Sequence, residues 1–480
     1  MGAPAGTAGR SLRRELAGVI GAGSVLEPAE YGPYCHDATI QRGLRGAPDA
    51  VVCPQDAAGV ARVLGWCYEQ DVAIVPRGGG TGLAGGAVPV DGGVVLGLER
   101  LRAVRALEPE LGRVHVESGL STAHVARLAR ENGLLFAPDP GAAEQSQIGG
   151  NVATNAGGPH AFKYGPTGSC VAALEVALAP GELTGVGGKT RKDVSGYDLR
   201  ALLVGSEGTL GVVTAVGLAL PPAPAARLPL VAFLPDAEAG QRAVLALLAS
   251  GVIPAVLDFL DARTFAAAAA SFPFPHEPVR EAAFVLVLEL DGSAGEIERE
   301  RGELREALSG EGLVALERPE AGALWRWRDG LNGLLAGIRG GKVSEDICVP
   351  PERLGEAIEG VYEIGAELSL EACAWGHAGD GIVHGTFLAD CSVHEERARA
   401  LTAGERLLEH ALRLGGSITG EHGVGYVKRA ALGAQWDEPT LAAHRHVKRA
   451  LDPKGLLNPG KKEPLRGTRR PVLGAGGAKH

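Results

Sequence analysis

The stretch WGHAGDGIVHGTF, Trp375 to Phe387, sets two histidines on either side of a glycine-rich turn. Imidazole is the commonest side-chain metal ligand, so the question is whether His377 and His384 can reach one ion. A helix would bring residues seven apart to roughly one face. Gly376, Gly379, Gly381 and Gly385 argue against it, at about 1 kcal/mol of lost propensity each. A strand–turn–strand fits better, because Asp380-Gly381 is a favoured two-residue hairpin loop. That register pairs Gly379 with Ile382, Ala378 with Val383 and His377 with His384. Opposed residues share a face with β-carbons about 5 Å apart, close enough for both rings to hold one cation. Two ordinary hairpin histidines would give the same pattern, so this stretch alone leaves both readings open.

A second kind of chemistry is written in glycine. VAIVPRGGGTGLAGGAVPV, Val72 to Val90, contains a G-x-G-x-x-G at Gly80, Gly82 and Gly85. A dinucleotide fold needs that motif to open a helix, with an acidic residue about 20 positions on. Here it runs into Pro89 and a further apolar strand, so the Rossmann reading fails on context. What survives is a loop almost without side chains, whose backbone N–H groups can close around an anion. A plain turn between two strands is the alternative. PDPGAAEQSQIGGNVATNAGG, Pro138 to Gly158, is a second such segment, and GSEGTLGVVT, Gly205 to Thr214, is a third. Loops as long as Pro138–Gly158 are usually functional or disordered, and this one is too apolar at Ile148 and Val152 for disorder. Three of them in one domain would make a backbone-lined cleft suited to a long diphosphate-bearing cofactor.

The elements that must carry these loops follow from periodicity. DAAGVARVLGWCYEQ has helical period, VAIVP, GGVVLGL and GRVHVESG read as strands, and STAHVARLARENG is a helix that Ser121 could cap and Gly133 end. Residues 11–20 look like a short amphipathic helix. The double proline Pro221-Pro222 marks a boundary, after which strands such as LPLVAFL and AAFVLVLEL alternate with Ala-, Glu- and Arg-rich helices. At 480 residues, 45% of them hydrophobic, the chain has enough for two or three cores. Only 4% are aromatic and the net charge is −10, which speaks against nucleic acid and anionic lipid as partners. The start lacks a secretory pattern, and no apolar run is long enough to span a bilayer. Seven scattered cysteines without a C-x-x-C pair point to reduced thiols, a cytoplasmic setting and no iron–sulfur cluster of its own.

Seven motifs occur in a fixed order: PRGGGTGL, PDPG…IGGNVATNAGG, KYG, GYDLRALLVGSEGTLGVVT, GHAGDGIVH, GEHGVG and DPKGLLNPGK. Together, over Ala47 to Lys461, they resemble the FAD-linked D-2-hydroxyacid dehydrogenases. That group includes the glycolate oxidase flavoprotein subunit and the flavin D-lactate dehydrogenases, within the vanillyl-alcohol oxidase-like superfamily. The resemblance implies an α+β chain: a two-subdomain FAD-binding domain of the vanillyl-alcohol oxidase/PCMH type, a ferredoxin-like cap and a C-terminal helical segment. The expected bounds are 1–46 for an N-terminal helical segment, 47–222 for the FAD domain, 223–400 for the cap and 401–465 for the returning segment. Residues 466–480 are expected to be a disordered tail.

The same resemblance implies the site residues. Arg77, Gly78, Gly79, Gly80, Thr81, Gly82 and Leu83 would wrap the FAD pyrophosphate. Asp139, Pro140, Gly141, Gly149, Gly150, Asn151, Ala153, Thr154 and Gly158 would line the flavin and ribityl chain. Glu207, Gly208, Gly211 and Val213 would hold the adenosine portion, and Asn458 would approach the isoalloxazine. FAD is expected to be non-covalent, since no histidine or cysteine lies within Arg77–Leu83. His377, His384 and Glu421 resemble a divalent-metal site suited to zinc, manganese or iron. His422 looks like the base that takes the hydroxyl proton, and Arg328 the cation for the carboxylate. Neighbours on a strand point to opposite faces, so GEHGVG should be a turn in which glycines let Glu421 and His422 converge.

Three departures bear on substrate. The family's lysine two places before the aspartate of D-x-x-VP is Ser344 here, with Lys342 two residues earlier on the same strand face. Its asparagines after GDG and after the second histidine are Ile382 and Thr386. The expected activity is oxidation of a D-2-hydroxy acid, glycolate or D-lactate first. Electrons would pass to an external acceptor: a quinone, a cytochrome, an electron-transfer protein or an iron–sulfur subunit. Alternatives are a subunit active only within a glycolate oxidase-type complex, and an alkylglycerone-phosphate synthase-like enzyme. A homodimer and peripheral membrane contact are compatible with the sequence.

Overall fold

The computed structural model describes residues 7–273 and 282–463, so the tail expected at 466–480 lies outside the described residues. The first small sheet has three parallel strands, Ala50–Val52, Val94–Gly97 and Ile74–Arg77 in spatial order. Parallel neighbours need a crossover, and the helix Ala57–Glu69 supplies it, started by Asp56, whose carboxylate accepts from Gly59 N. The next sheet has five antiparallel strands, in order Val104–Glu108, Arg113–Glu117, Val212–Ala219, Val171–Leu178 and Glu182–Gly187. Ser121 caps the helix Thr122–Glu131 as expected, accepting from His124 N. The Pro138–Gly168 stretch is less irregular than its glycines imply. It contains the helix Ile148–Thr154, because Ile148 and Val152, one turn apart, both bury in the core of this subdomain.

The cap is built on a seven-stranded sheet, in order Ala315–Glu317, Ala226–Leu234, Phe284–Gly292, Val256–Asp261, Glu371–His377, Ile382–Leu388 and Lys342–Cys348. Its apolar residues alternate between two cores. One face carries Leu286, Leu288, Val343, Ile347 and Phe387 against the helices Ala237–Ser250, Leu354–Glu367 and His394–Arg413. The other carries Val285, Val287, Trp375 and Leu388 against Leu324, Trp327, Leu331 and Leu335 of the helix Ala321–Arg339. The boundary expected between 400 and 401 falls inside the helix His394–Arg413, whose Ala400, Ala403 and Leu407 are part of the cap core. Burial, not the change in composition, sets that limit. After Arg413 the chain runs along the edge of the cap, with Ile418, Val424 and Leu432 in its core, and then returns to the first sheet, where Leu457 bridges Ile74 and Asn458 N donates to Ile74 O at 2.7 Å. No helix among the described residues is long and apolar enough to cross a membrane.

A short segment ties FAD domain to cap. His160 Nδ1 lies 3.2 Å from Asp139 Oδ2, and its Nε2 lies 3.1 Å from Glu289 Oε1 on the cap strand Phe284–Gly292. Lys163 and Tyr164 each bond Asp291, at 2.6 Å. Burial alone would lower the His160 pKa, but the hydrogen bonds to Asp139 and Glu289 outweigh it and raise it to about 9. A folded-state pKa above the ordinary 6.5 means that this contribution is complete below 6.5 and lost as pH rises through about 9. A shift of that size is worth on the order of 3 kcal/mol. Chemical denaturation should therefore show wild type more stable than His160→Gln at about pH 6, with the gap closing by about pH 10. A gap that is the same at both pH values would remove the imidazolium from the joint.

Candidate active site

The two histidines meet, by a route other than the expected one. The connection is the short turn Ala378–Asp380 followed by Gly381 at φ 71°, and the strands pair Trp375, not His377, with His384. His377 instead lies opposite Asp258 on its other side. A two-residue loop would place the backbone of Gly376 and Ile382 farther along the ladder. Gly376 is at φ 156°, and a side chain there would meet Ile382 O at 2.2 Å, so the tight approach fixes the longer turn. The offset is two residues, one full strand period, so His377, Trp375 and His384 still share a face. The histidine rings are 5.6 Å apart between centroids.

Glu421 comes to them from the returning segment. The donor atoms of His377, His384 and Glu421 all lie within 4.8 Å of one another. Glu421 Oε1 is 3.4 Å from His384 Nε2 and 3.7 Å from His377 Nε2. Ligands about 2.0 Å from a tetrahedral ion stand about 3.3 Å apart, so this set closes on an ion with small movements. As the glycines of GEHGVG suggest, both Glu421 and His422 turn inward: His422 Nε2 is 3.7 Å from the same carboxylate oxygen. Gly423 and Gly425 are at φ 84° and 48°, the left-handed region that favours glycine.

Two buried carboxylates aim the rings. Asp258 Oδ1 is 2.6 Å from His377 Nδ1, and Asp346 Oδ1 is 3.0 Å from His422 Nδ1. In each ring this leaves Nε2 facing the centre, the arrangement that a carboxylate on the far nitrogen imposes on metal-binding histidines. Arg328 is not a free cation. Its Nε and one terminal nitrogen bond Asp258 Oδ2 at 2.8 and 2.6 Å. The electrostatics follow burial and neighbours. His384, buried without a carboxylate of its own on Nδ1, is pushed down to about 3. Burial would lower His377 too, but the charges of Asp258 and Glu421 raise it to about 10. Burial pushes Asp380, at the turn, up to about 6.

The glycine loops also converge. A side chain at Gly79 would meet Gln145 O at 2.0 Å, one at Gly149 would meet Ser118 Cβ at 2.5 Å, and one at Gly158 would meet Asp139 O at 2.1 Å. Gly208 packs on Pro76, and Asn458 Nδ2 donates to Gly86 O and Glu207 O at 2.9 and 2.8 Å. Ser118 Oγ, Gln147 Oε1 and Asn458 Oδ1 border this cradle, buried and without a protein partner. Buried polar atoms are otherwise nearly always paired. A backbone-lined cleft edged by three such atoms fits a polar, phosphate-linked ring cofactor. Some expected contacts do other work. The Arg77 guanidinium braces the loop through Pro33 O and His36 O. Glu207 uses its carboxylate on Val424 N and Gly425 N, anchoring the returning segment. Asn151 and Thr154 bond Thr122 and Gly150, while Val213 joins the core of the five-stranded subdomain.

Residues 48–187 match the FAD binding domain, and residues 223–462 match the C-terminal domain of FAD linked oxidases. The glycolate oxidase subunit GlcD of Bacillus subtilis is 37% identical over 89% of this chain and 91% of its own length. The chain belongs to the FAD-linked D-2-hydroxyacid dehydrogenase family. As a member it is an oxidoreductase acting on CH–OH donors. D-2-hydroxyglutarate dehydrogenase of Xanthomonas citri is 34% identical, over 91% of this chain and 93% of the relative. A p-cresol methylhydroxylase structure with substrate bound superposes with a TM-score of 0.78 at 18% identity, covering 95% of this chain and 97% of that one. That likeness establishes the PCMH-type fold.

Sequence reasoning missed Asp258, Asp346, Lys428 and His160. The signal for the first two was an acidic residue inside an apolar run, in AVLDFLD and SEDICVP. Their partners lie 70 or more positions away, so spacing could not pair them. Losing a second-shell carboxylate typically costs a metal site about 10–100-fold in affinity. Asp258→Asn should weaken zinc binding by that factor, read by competition with a chromophoric chelator. Unchanged affinity would show that Asp258 does not orient His377.

Proposed function

We propose that this enzyme oxidises a small D-2-hydroxy acid, glycolate or D-lactate, to the 2-keto acid. His377, His384 and Glu421 would hold a divalent ion, whose charge would ease deprotonation, and electrons would leave to an external acceptor. The observation that carries this reading is the convergence of three imidazole Nε2 atoms on one carboxylate oxygen, beside the glycine-lined cradle. When bound, FAD supplies a hydride acceptor and the divalent ion a Lewis acid. The loops of Arg77–Leu83 and Asp139–Gly158 would hold the former.

The chain's own groups define the rest. Asp346 occupies His422 Nδ1, so Nε2 is the atom that takes the hydroxyl proton, and the same carboxylate stabilises the imidazolium that forms. Arg328 keeps one terminal nitrogen for the substrate carboxylate after two bonds to Asp258. Beyond His384 the strand face carries Thr386, Ser344 and Lys342. These bond one another, with Lys342 Nζ 2.6 Å from Ser344 Oγ and Ser344 Oγ 2.8 Å from Thr386 Oγ1. A lysine tucked into its neighbours supports a small monocarboxylate over a dicarboxylate.

A subunit role within a larger complex has a specific observation in its favour. The Bacillus relative is named as a subunit, and the cysteines of this chain are free and dispersed. Anaerobic mixing of purified holoprotein with glycolate, D-lactate and L-lactate should bleach the flavin with the first two and not the third. No bleaching with any 2-hydroxy acid would overturn the proposal. His422→Asn should lower kcat about 10²–10⁴-fold at constant flavin content. An unchanged kcat would take His422 out of the proton transfer.

A further inference from the structure

Arg42 precedes both regions that match the family, which begin at residues 48 and 223. Its guanidinium nevertheless reaches the strand Lys342–Cys348, which ends the seven-stranded sheet. One terminal nitrogen donates to Glu345 Oε1 and the other to Ser344 O, both at 2.6 Å. The returning segment covers the rest of that edge: Gly420 N donates to Asp346 O at 2.9 Å, and Cys348 bridges Ser417. Arg42 therefore completes the edge where the returning segment stops.

Glu345 and Asp346 are consecutive carboxylates, 2% and 0% exposed. Two cations lie against them. Lys428, itself 2% exposed, stands between the pair: its Nζ bonds Asp346 Oδ1 and Ile418 O and lies 3.4 Å from Glu345 Oε2. Asp346 in turn holds His422 Nδ1 and accepts from the amides of Gly420, Glu421 and His422. With Arg42 on Glu345, each buried carboxylate has its own cation. Without Arg42, one ammonium would serve two buried charges, an arrangement that is strongly unfavourable.

We propose that Arg42 is a positioning residue for the active-site base. By neutralising Glu345 it keeps Lys428 on Asp346, and Asp346 fixes the ring of His422 and the turn that carries Glu421. The N-terminal segment thus contributes to the site through the charge of Arg42. This rests on the reading of His422 as the base.

The test uses full-length holoprotein, D-lactate and a dichlorophenolindophenol acceptor, with anaerobic flavin reduction as a second readout. Arg42→Met should lower kcat about tenfold or more, with KM changed less than about threefold and FAD per chain unchanged. Arg42→Met/Glu345→Gln should return kcat to within about threefold of wild type, because the rival carboxylate is gone. Arg42→Lys keeps the charge and should also stay within about threefold, which holds the test open if Arg42→Met does not fold. Three results would each overturn the proposal: wild-type kcat in Arg42→Met, a double variant as slow as the single, or a tenfold loss in Arg42→Lys. Parallel loss of FAD and kcat in Arg42→Met would reduce the residue to a structural contact. A wild type whose flavin no 2-hydroxy acid reduces would overturn the reading of the base as well, which separates the two failures.

Discussion

The carboxylate of Asp346 has no contact with solvent, and six groups donate to it or pair with it. Thr419 Oγ1 and the amides of Gly420, Glu421 and His422 converge on Oδ2, while Lys428 Nζ and His422 Nδ1 lie on Oδ1. Burial alone would raise its pKa, but His422 and Lys428 hold it well below the ordinary carboxylate range. A buried charge is tolerable only when paired and hydrogen-bonded on every side. This one is: Asp346 sits on a cap strand, and its partners come from the returning segment. The turn that carries Glu421 and His422 has little regular structure of its own. It is shaped by the carboxylate it wraps.

That dependence explains why the site needs both halves of the chain. The cap sheet delivers Asp258, His377, His384 and Asp346 on one face, from four strands adjacent in space. Glu421 and His422 arrive on a segment that continues to Asn458, which bonds the backbone of Gly86 and Glu207 in the cofactor cradle. Glu207 closes the loop by accepting from Val424 N and Gly425 N, just beyond the catalytic turn. The cradle and the His377, His384 and Glu421 group are therefore joined through about three dozen residues of backbone, and through hydrogen bonds at both ends. His160 and Lys163 add a second joint at Glu289 and Asp291, on the same face of the cap sheet as Asp258.

Much of this was legible in the sequence where the chemistry is local. Strand and helix periods placed Ile74–Arg77, Arg113–Glu117 and the capped helix Thr122–Glu131, because their amphipathic pattern is satisfied within the element. The His377/His384/Glu421 group was legible through ordered motifs. What sequence could not show is long-range pairing. Asp258 serves His377 across 119 positions and Arg328 across 70, and nothing local to AVLDFLD marks which aspartate does so. The helix Ile148–Thr154 was hidden by Gly149 and Gly150, whose poor propensity is overridden by burial of Ile148 and Val152.

The hairpin shows why a wrong register still brought the two histidines together. A slip of one residue would have sent His377 to the helix-covered core and left a single histidine facing the cavity. The turn is longer by two residues on one strand, which preserves the face and moves His377 one step along it. The strand Glu371–His377 lies between two neighbours, so the other side of His377 is set independently of the hairpin. There it lies opposite Asp258, the same carboxylate that fixes Arg328. A single buried aspartate thereby holds both the His377 ring and the Arg328 guanidinium. The distance between those two groups is set by the bonds of one side chain, not by the packing of two domains.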